Sequence, residues 1–147
     1  MTPKMHNTLW PGAVLSVSLL LASGATLAEI AIIANPVAGA GELDKKTAKK
    51  LFLGKISTIP GMDKVTLVGQ ADDSPTKAEF AKKVTKKKLN QFKAYWSKMV
   101  FSGKAVPPKE FANDSELKAF VARTPNAVGY VDASVVDDSV KVLLNVP

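Results

Sequence analysis

The chain has no cysteine, and its one histidine, His6, lies near the start. Disulfides, a thiolate nucleophile and sulfur ligands for zinc are therefore excluded. Beyond His6 there is no imidazole, which removes Ser-His-Asp and Cys-His machinery and the usual zinc sites. Asp72 and Asp73 are adjacent, so their side chains diverge, and Asp137-Asp138 falls in an expected turn. Neither pair suits the two placed carboxylates of a glycosidase. No glycine-rich nucleotide fingerprint and no calcium-loop spacing occurs. The reading is a protein that is not an enzyme and uses no cofactor and no metal.

Arginine is almost missing as well. Arg123 stands alone against 19 lysines within a net charge of +7. Proteins that read bases rely on arginine for bidentate contacts, so nucleic acid is not an expected partner. A lysine-rich surface suits anionic solutes, lipid headgroups or an acidic protein.

There is no apolar run long enough to span a bilayer, which takes roughly 20 residues. The longest, Ala13 to Leu21 (AVLSVSLLL), follows a mildly basic start with Lys4 and precedes the small residues of Thr26-Leu27-Ala28. That order is the pattern of a cleavable signal peptide. Residues 1–28 are expected to be such a leader, cut after Ala28, with Ala25 as the alternative. The absence of cysteine excludes a lipoprotein anchor. An exported chain without disulfides suits a bacterial periplasm. Glu29–Pro147 would then form one domain of 119 residues, 28 fewer than the full 147, enough for a real core.

Within that domain, Glu29 to Ala34 (EIAIIA) is β-branched and apolar and predicts a buried strand. Asp44 to Leu53 predicts a helix capped by Asp44 and stopped at Gly54. Val65 to Val68 predicts a second strand. Asp73 to Lys88 predicts a helix with Phe80, Ala81 and Val84 inward. Lys82, Lys83 and Lys86 to Lys88 then form a solvated face. Leu89, Phe92, Trp96, Met99 and Val100 recur at helical spacing as a core stripe widened by Tyr95. Gly103 to Lys109, with Pro107-Pro108, predicts a loop. Asn113 to Arg123 predicts a helix capped by Asn113 or Asp114. Val128 to Val131 and Val140 to Val146 complete the strands. Strands alternating with helices predict an α/β domain with a mainly parallel sheet. Such sheets bind ligands beyond the carboxyl ends of their strands.

One handover from strand to helix stands out, Gly69 to Phe80 (GQADDSPTKAEF). Ser74 can cap the helix, Pro75 suits its first turn, and Thr76 with Glu79 has capping-box spacing. Asp72 and Asp73 complement the positive helix end. The same free N–H groups and hydroxyls would also make an anion site. Chemistry alone favours the capped helix, because the acidic pair repels an anion.

Three stretches carry a resemblance. Leu43 to Ser57 (LDKKTAKKLFLGKIS) is similar to the LxxxxLxxIFLGKxxxW segment of the periplasmic phosphate-binding proteins that feed ABC transporters. Gln70 to Thr76 (QADDSPT) resembles that family's phosphate loop, R-x-D-G-S-G-T. Thr124 to Val131 (TPNAVGYV) resembles its PGAIGYV segment. Tyr95-Trp96-Ser97, Phe101 to Lys104 and Pro107 to Glu110 are similar to a small, one-lobe subgroup. The resemblance implies a single lobe of a type II periplasmic binding protein, an α/β fold with a mainly parallel central sheet flanked by helices. It implies binding of phosphate or a similar oxyanion in connection with ABC-type transport or sensing. Asp72, Ser74 and Thr76 fall on phosphate-holding positions, the aspartate accepting from a protonated phosphate oxygen. Gln70 replaces the family's arginine, and Asp73 and Pro75 replace its two glycines. Gln70, Asp72, Asp73, Ser74 and Thr76 are the candidate ligand residues. The implied partners are the oxyanion and a membrane transporter or sensor, with a second copy of the chain as one way to complete the cleft. The alternative is an interaction module that kept the fold, lost the solute and docks on a sensor, transporter or channel.

Overall fold

The computed structural model describes residues 28–147. All but the last residue of the expected leader lie outside the described residues. The order is β1 (Ile30–Ala34), α1 (Lys45–Phe52), β2 (Thr66–Gln70), α2 (Pro75–Phe80), a π-helical turn (Ala81–Thr85), α3 (Leu89–Phe101), β3 (Lys109–Phe111), α4 (Asp114–Arg123), β4 (Ala127–Asp132), a 3-10 turn (Ala133–Val135) and β5 (Lys141–Val146).

The five strands form one sheet in the order β3-β2-β4-β1-β5. β2 runs parallel to β3 and to β4, while β1 is antiparallel to both β4 and β5. Four strands therefore point one way and β1 alone opposes them, which is the mainly parallel α/β sheet expected from the sequence.

Strand alternation divides the core between two faces. Ile30, Ile32 and Ala34 of β1 face α1, the π turn and α3, where Leu51, Phe52, Phe80 and Trp96 pack. Ala31 and Ile33 face α4 through Leu117 and Val121. All five residues of β1 are buried. Covering a strand on both faces calls for a continuous apolar run, and each buried isoleucine contributes about 1.5–3 kcal/mol.

The helix ends follow local chemistry. Asp44 caps α1 by accepting from the Thr47 N–H at 2.6 Å, and Gly54 turns the chain at φ +70°. Asn113 caps α4 by accepting from the Glu116 N–H. Tyr95 and Trp96 bind α3 to the end of α1: the phenol donates to the Leu53 carbonyl and the indole N–H to that of Phe52. That fulfils the reading of this pair as core.

Four expectations are corrected. The helix expected over Asp73 to Lys88 starts at Pro75 and ends at Thr85, because Lys86 adopts a left-handed conformation at φ +59°. The Thr76–Glu79 capping box does not form; Ser74 is the N-cap, and the Thr76 hydroxyl points elsewhere. The stripe on α3 narrows to Phe92 and Trp96, since the helix runs past the core and leaves Val100 and Phe101 exposed. β3 begins at Lys109, the last residue of the expected loop, and no strand was expected there. Its three residues carry no apolar alternation, and parallel pairing with β2 makes it a strand.

Candidate functional site

β2 ends at Gln70, and the chain turns through Ala71 to Ser74 before α2. β3 and β4 flank β2, so the loop emerges at the carboxyl ends of three parallel strands. That is where open α/β sheets place ligands.

Gln70 is completely buried, and every polar atom of its side chain is engaged. Its Nε2 donates to Asp114 Oδ1 at 2.6 Å and to the Tyr130 carbonyl at 3.1 Å. Its Oε1 accepts from the Ser74 hydroxyl. Its backbone N–H donates to the Tyr130 hydroxyl at 3.0 Å. Thr76 Oγ1 donates to the other Asp114 oxygen at 3.1 Å. Three of the five candidate residues, Gln70, Ser74 and Thr76, are thus brought together around Asp114.

Asp114 is absent from the sequence-based set. Asn113 and Asp114 compete there for one cap position. Asn113 takes it, which frees the Asp114 carboxylate to reach back across the sheet end. It also accepts from the Asp132 N–H at 3.2 Å. Two capping residues in a row are the only trace of this role in the sequence.

Asp72 and Asp73 lie apart from the cluster. Asp73 is exposed. Asp72 accepts from Lys77 at 2.7 Å and from Lys93 at 2.9 Å. Hydrogen bonds first from Lys77 and then from Lys93 hold its carboxyl below the usual carboxylate range. Lys77 is itself buried and also reaches Glu110 at 2.7 Å. The acidic pair that counted against an anion is therefore half neutralised within the fold. Neither lysine was singled out from sequence, where both look like ordinary helix-face charges.

The loop offers backbone donors too. The Ser74 N–H closes the turn onto the Ala71 carbonyl at 2.9 Å, whereas the Asp73 and Thr76 N–H groups meet no acceptor among the described residues. These two N–H groups and the two hydroxyls are the donors an oxyanion would meet. Among the described residues no three His, Cys, Asp or Glu are grouped to hold a metal ion.

Beside the loop opens a cavity of about 670 Å³. Phe52, Phe92, Trp96 and Tyr130 line it, and Asp72, Lys77, Lys93 and Glu110 form one wall. Tyr130 stacks flat on Phe80, with centroids 3.7 Å apart. Burial raises its phenol well above the ordinary range, so it stays protonated.

The fold is that of a single lobe of a type II periplasmic binding protein. No protein-family profile matches it. It is 34% identical over 121 residues to the phosphate-binding protein PstS of Bacillus subtilis, a match covering 78% of this chain and 35% of that protein. A phosphate ABC transporter substrate-binding protein (so assigned) from Clostridium perfringens, solved with bound phosphate, superposes with a TM-score of 0.64 at 25% identity. That match covers 79% of this chain and 45% of the other. An ABC-type phosphate transport receptor from Vibrio cholerae superposes with a TM-score of 0.62 at 21% identity, covering 79% and 46%. The chain thus spans about a third of the curated relative and just under half of each solved structure. The resemblance seen in the three sequence stretches is confirmed. These relatives are binding proteins, in keeping with a chain that is not an enzyme.

Proposed function

We propose that the chain is an exported, periplasmic domain that binds phosphate or a similar oxyanion at the Gln70–Thr76 loop, in connection with ABC-type phosphate transport or sensing. Residues 1–28 are its cleaved leader, and Glu29–Pro147 the working domain. The observation that carries the reading is the gathering of Gln70, Ser74 and Thr76 at the end of β2, in a chain similar to phosphate-binding proteins.

The bonding pattern supplies a mechanism. The Ser74 hydroxyl is turned onto Gln70 and that of Thr76 onto Asp114. An incoming oxyanion competes for both protons and adds the Asp73 and Thr76 N–H groups. For Ser74, exchanging the neutral amide oxygen of Gln70 for a charged acceptor gives a hydrogen bond about twice as strong. Asp72 is held by two lysines. A monoprotonated phosphate can donate to it, whereas sulfate has no proton to offer at neutral pH. One open lobe leaves water to compete, so a partner lobe, a second copy, or the transporter or sensor it serves would close the site.

Calorimetric titration with phosphate and then sulfate tests the reading. Saturable heat with phosphate is expected, weaker with sulfate and abolished by Ser74→Ala with Thr76→Ala in a protein that still unfolds cooperatively. A folded wild-type protein that gives no heat with either anion overturns it.

A further inference from the structure

The cavity beside the loop is lined mostly by residues that the oxyanion loop does not use. Its volume of about 670 Å³ falls within the roughly 300–1,000 Å³ that encloses a drug-sized ligand. Five aromatic side chains line it, Phe101 among them, and Ser74 and Thr76 are not among its walls. At its mouth α3 leaves Phe101 96% exposed beside Val100. Exposed apolar surface thus continues into the cavity.

The polar wall sets the ligand's charge. Lys93, Asp72, Lys77 and Glu110 form an alternating chain with contacts of 2.9, 2.7 and 2.7 Å. Two cations and two anions cancel. A charged ligand would lose hydration on entering the apolar part with no net countercharge to meet it. A neutral ligand loses far less.

The same wall sets the ligand's polarity. Lys77 is 5% exposed and spends two of its three N–H donors on Asp72 and Glu110. Its third meets no acceptor among the described residues. Tyr130 accepts from the Gln70 N–H, and its own O–H likewise finds no acceptor there. Both residues line the cavity. A ligand acceptor in the cavity would take these donors in place of water.

We propose that this cavity binds an uncharged, mainly aromatic small molecule bearing one carbonyl or hydroxyl acceptor, which takes the free donors of Lys77 and Tyr130. This site is separate from the oxyanion loop, and the two share only Gln70 and Asp72 at their border.

The neutral naphthyl ketone prodan fits this description and reports on its surroundings by fluorescence. Titrated into the purified protein, prodan is expected to saturate at one site per chain with blue-shifted emission. Ser97→Trp and Val100→Trp each place an indole in the cavity from the exposed side of α3. Each should weaken prodan binding at least tenfold with an unchanged unfolding midpoint. Lys77→Met should weaken it severalfold and shift the bound emission further to the blue, as a hydrogen bond to the ketone is lost. Ser74→Ala with Thr76→Ala should leave prodan binding intact whether or not phosphate binds, so the two sites stand or fall separately. Prodan that only partitions without saturation, or that binds both filling variants like the wild type, overturns the proposal.

Discussion

The amide of Gln70 at the end of β2 donates to the carboxylate of Asp114 at the start of α4, 2.6 Å away and 44 residues along the chain. That bond fixes the loop between them. It also leaves Gln70 Oε1 to hold the Ser74 hydroxyl. An arginine at this position has five donors and no acceptor. Gln70→Arg therefore releases the Ser74 proton and adds a permanent cation beside the loop. Phosphate affinity is expected to rise at least tenfold, as read by calorimetry. Unchanged affinity would mean that Asp114 captures the guanidinium entirely.

Asp114 gathers donors from Gln70, Thr76 and the Asp132 backbone. Asp114→Ala leaves all three without their acceptor in a part-buried setting. A loss of about 2–3 kcal/mol is expected from the usual worth of hydrogen bonds to charged groups. Asp114→Asn keeps one oxygen and should lose about half of that. Urea denaturation of both variants distinguishes the two, and equal stability of wild type and alanine variant would remove Asp114 as the organiser of the loop.

Asp72 gives a pH signature. Its folded pKa is lowered, chiefly by Lys77 and then by Lys93. A lowered carboxyl contributes stability above its unfolded value, near 3.9, and loses it as pH falls through the folded value. Its side chain is 48% exposed, so solvent screening limits the contribution to about 1 kcal/mol or less. Asp72→Asn should therefore flatten the fall in stability below about pH 4 and lower stability slightly at neutral pH. Thermal melts from pH 7 to 2.5 read both effects.

Gly129 in β4 lies under α4. A methyl group there would stand 2.7 Å from Val68 Cγ2 and 2.8 Å from Leu117 Cδ2. Both neighbours are buried side chains with little room to retreat. Gly129→Ala is expected to destabilise by about 1–3 kcal/mol, the usual cost of overpacking. No change in the denaturation midpoint would show that α4 can lift off the sheet at no cost.

Lys86 ends the π turn at φ +59°. A left-handed conformation costs a residue with a side chain roughly 1–2 kcal/mol, and glycine adopts it freely. Lys86→Gly should stabilise by up to about 1 kcal/mol once the extra chain entropy of glycine is counted. The same urea series measures it.

Much of the architecture was legible because periodicity and capping act locally. EIAIIA could only be a strand covered on both faces, and Asp44 and Gly54 bracket α1 as their chemistry dictates. What stayed hidden depends on tertiary contact. β3 has three residues and no pattern, and exists because β2 presents it an edge. The π turn reflects packing of Phe80, Ala81 and Val84 rather than propensity. At the site, the Gln70–Thr76 loop announced itself, yet its carboxylate partner lies beyond α3 and β3. No spacing rule reaches Asp114, and no local feature of Lys77 or Lys93 shows that they neutralise Asp72. The cavity owes its shape to helices meeting at angles that sequence does not encode locally.

β1 sits between β4 and β5, with Ile30 opposite both Asp132 and Val146. Among the described residues the first strand is thus the sheet's keystone, and its two neighbours are the last two strands in chain order. Closing that gap joins residues about a hundred positions apart, the kind of long-range pairing that slows folding. Until β4 and β5 exist, β1 carries two unpaired edges and two greasy faces. A change that exposes it would therefore be read first as aggregation rather than as lost binding.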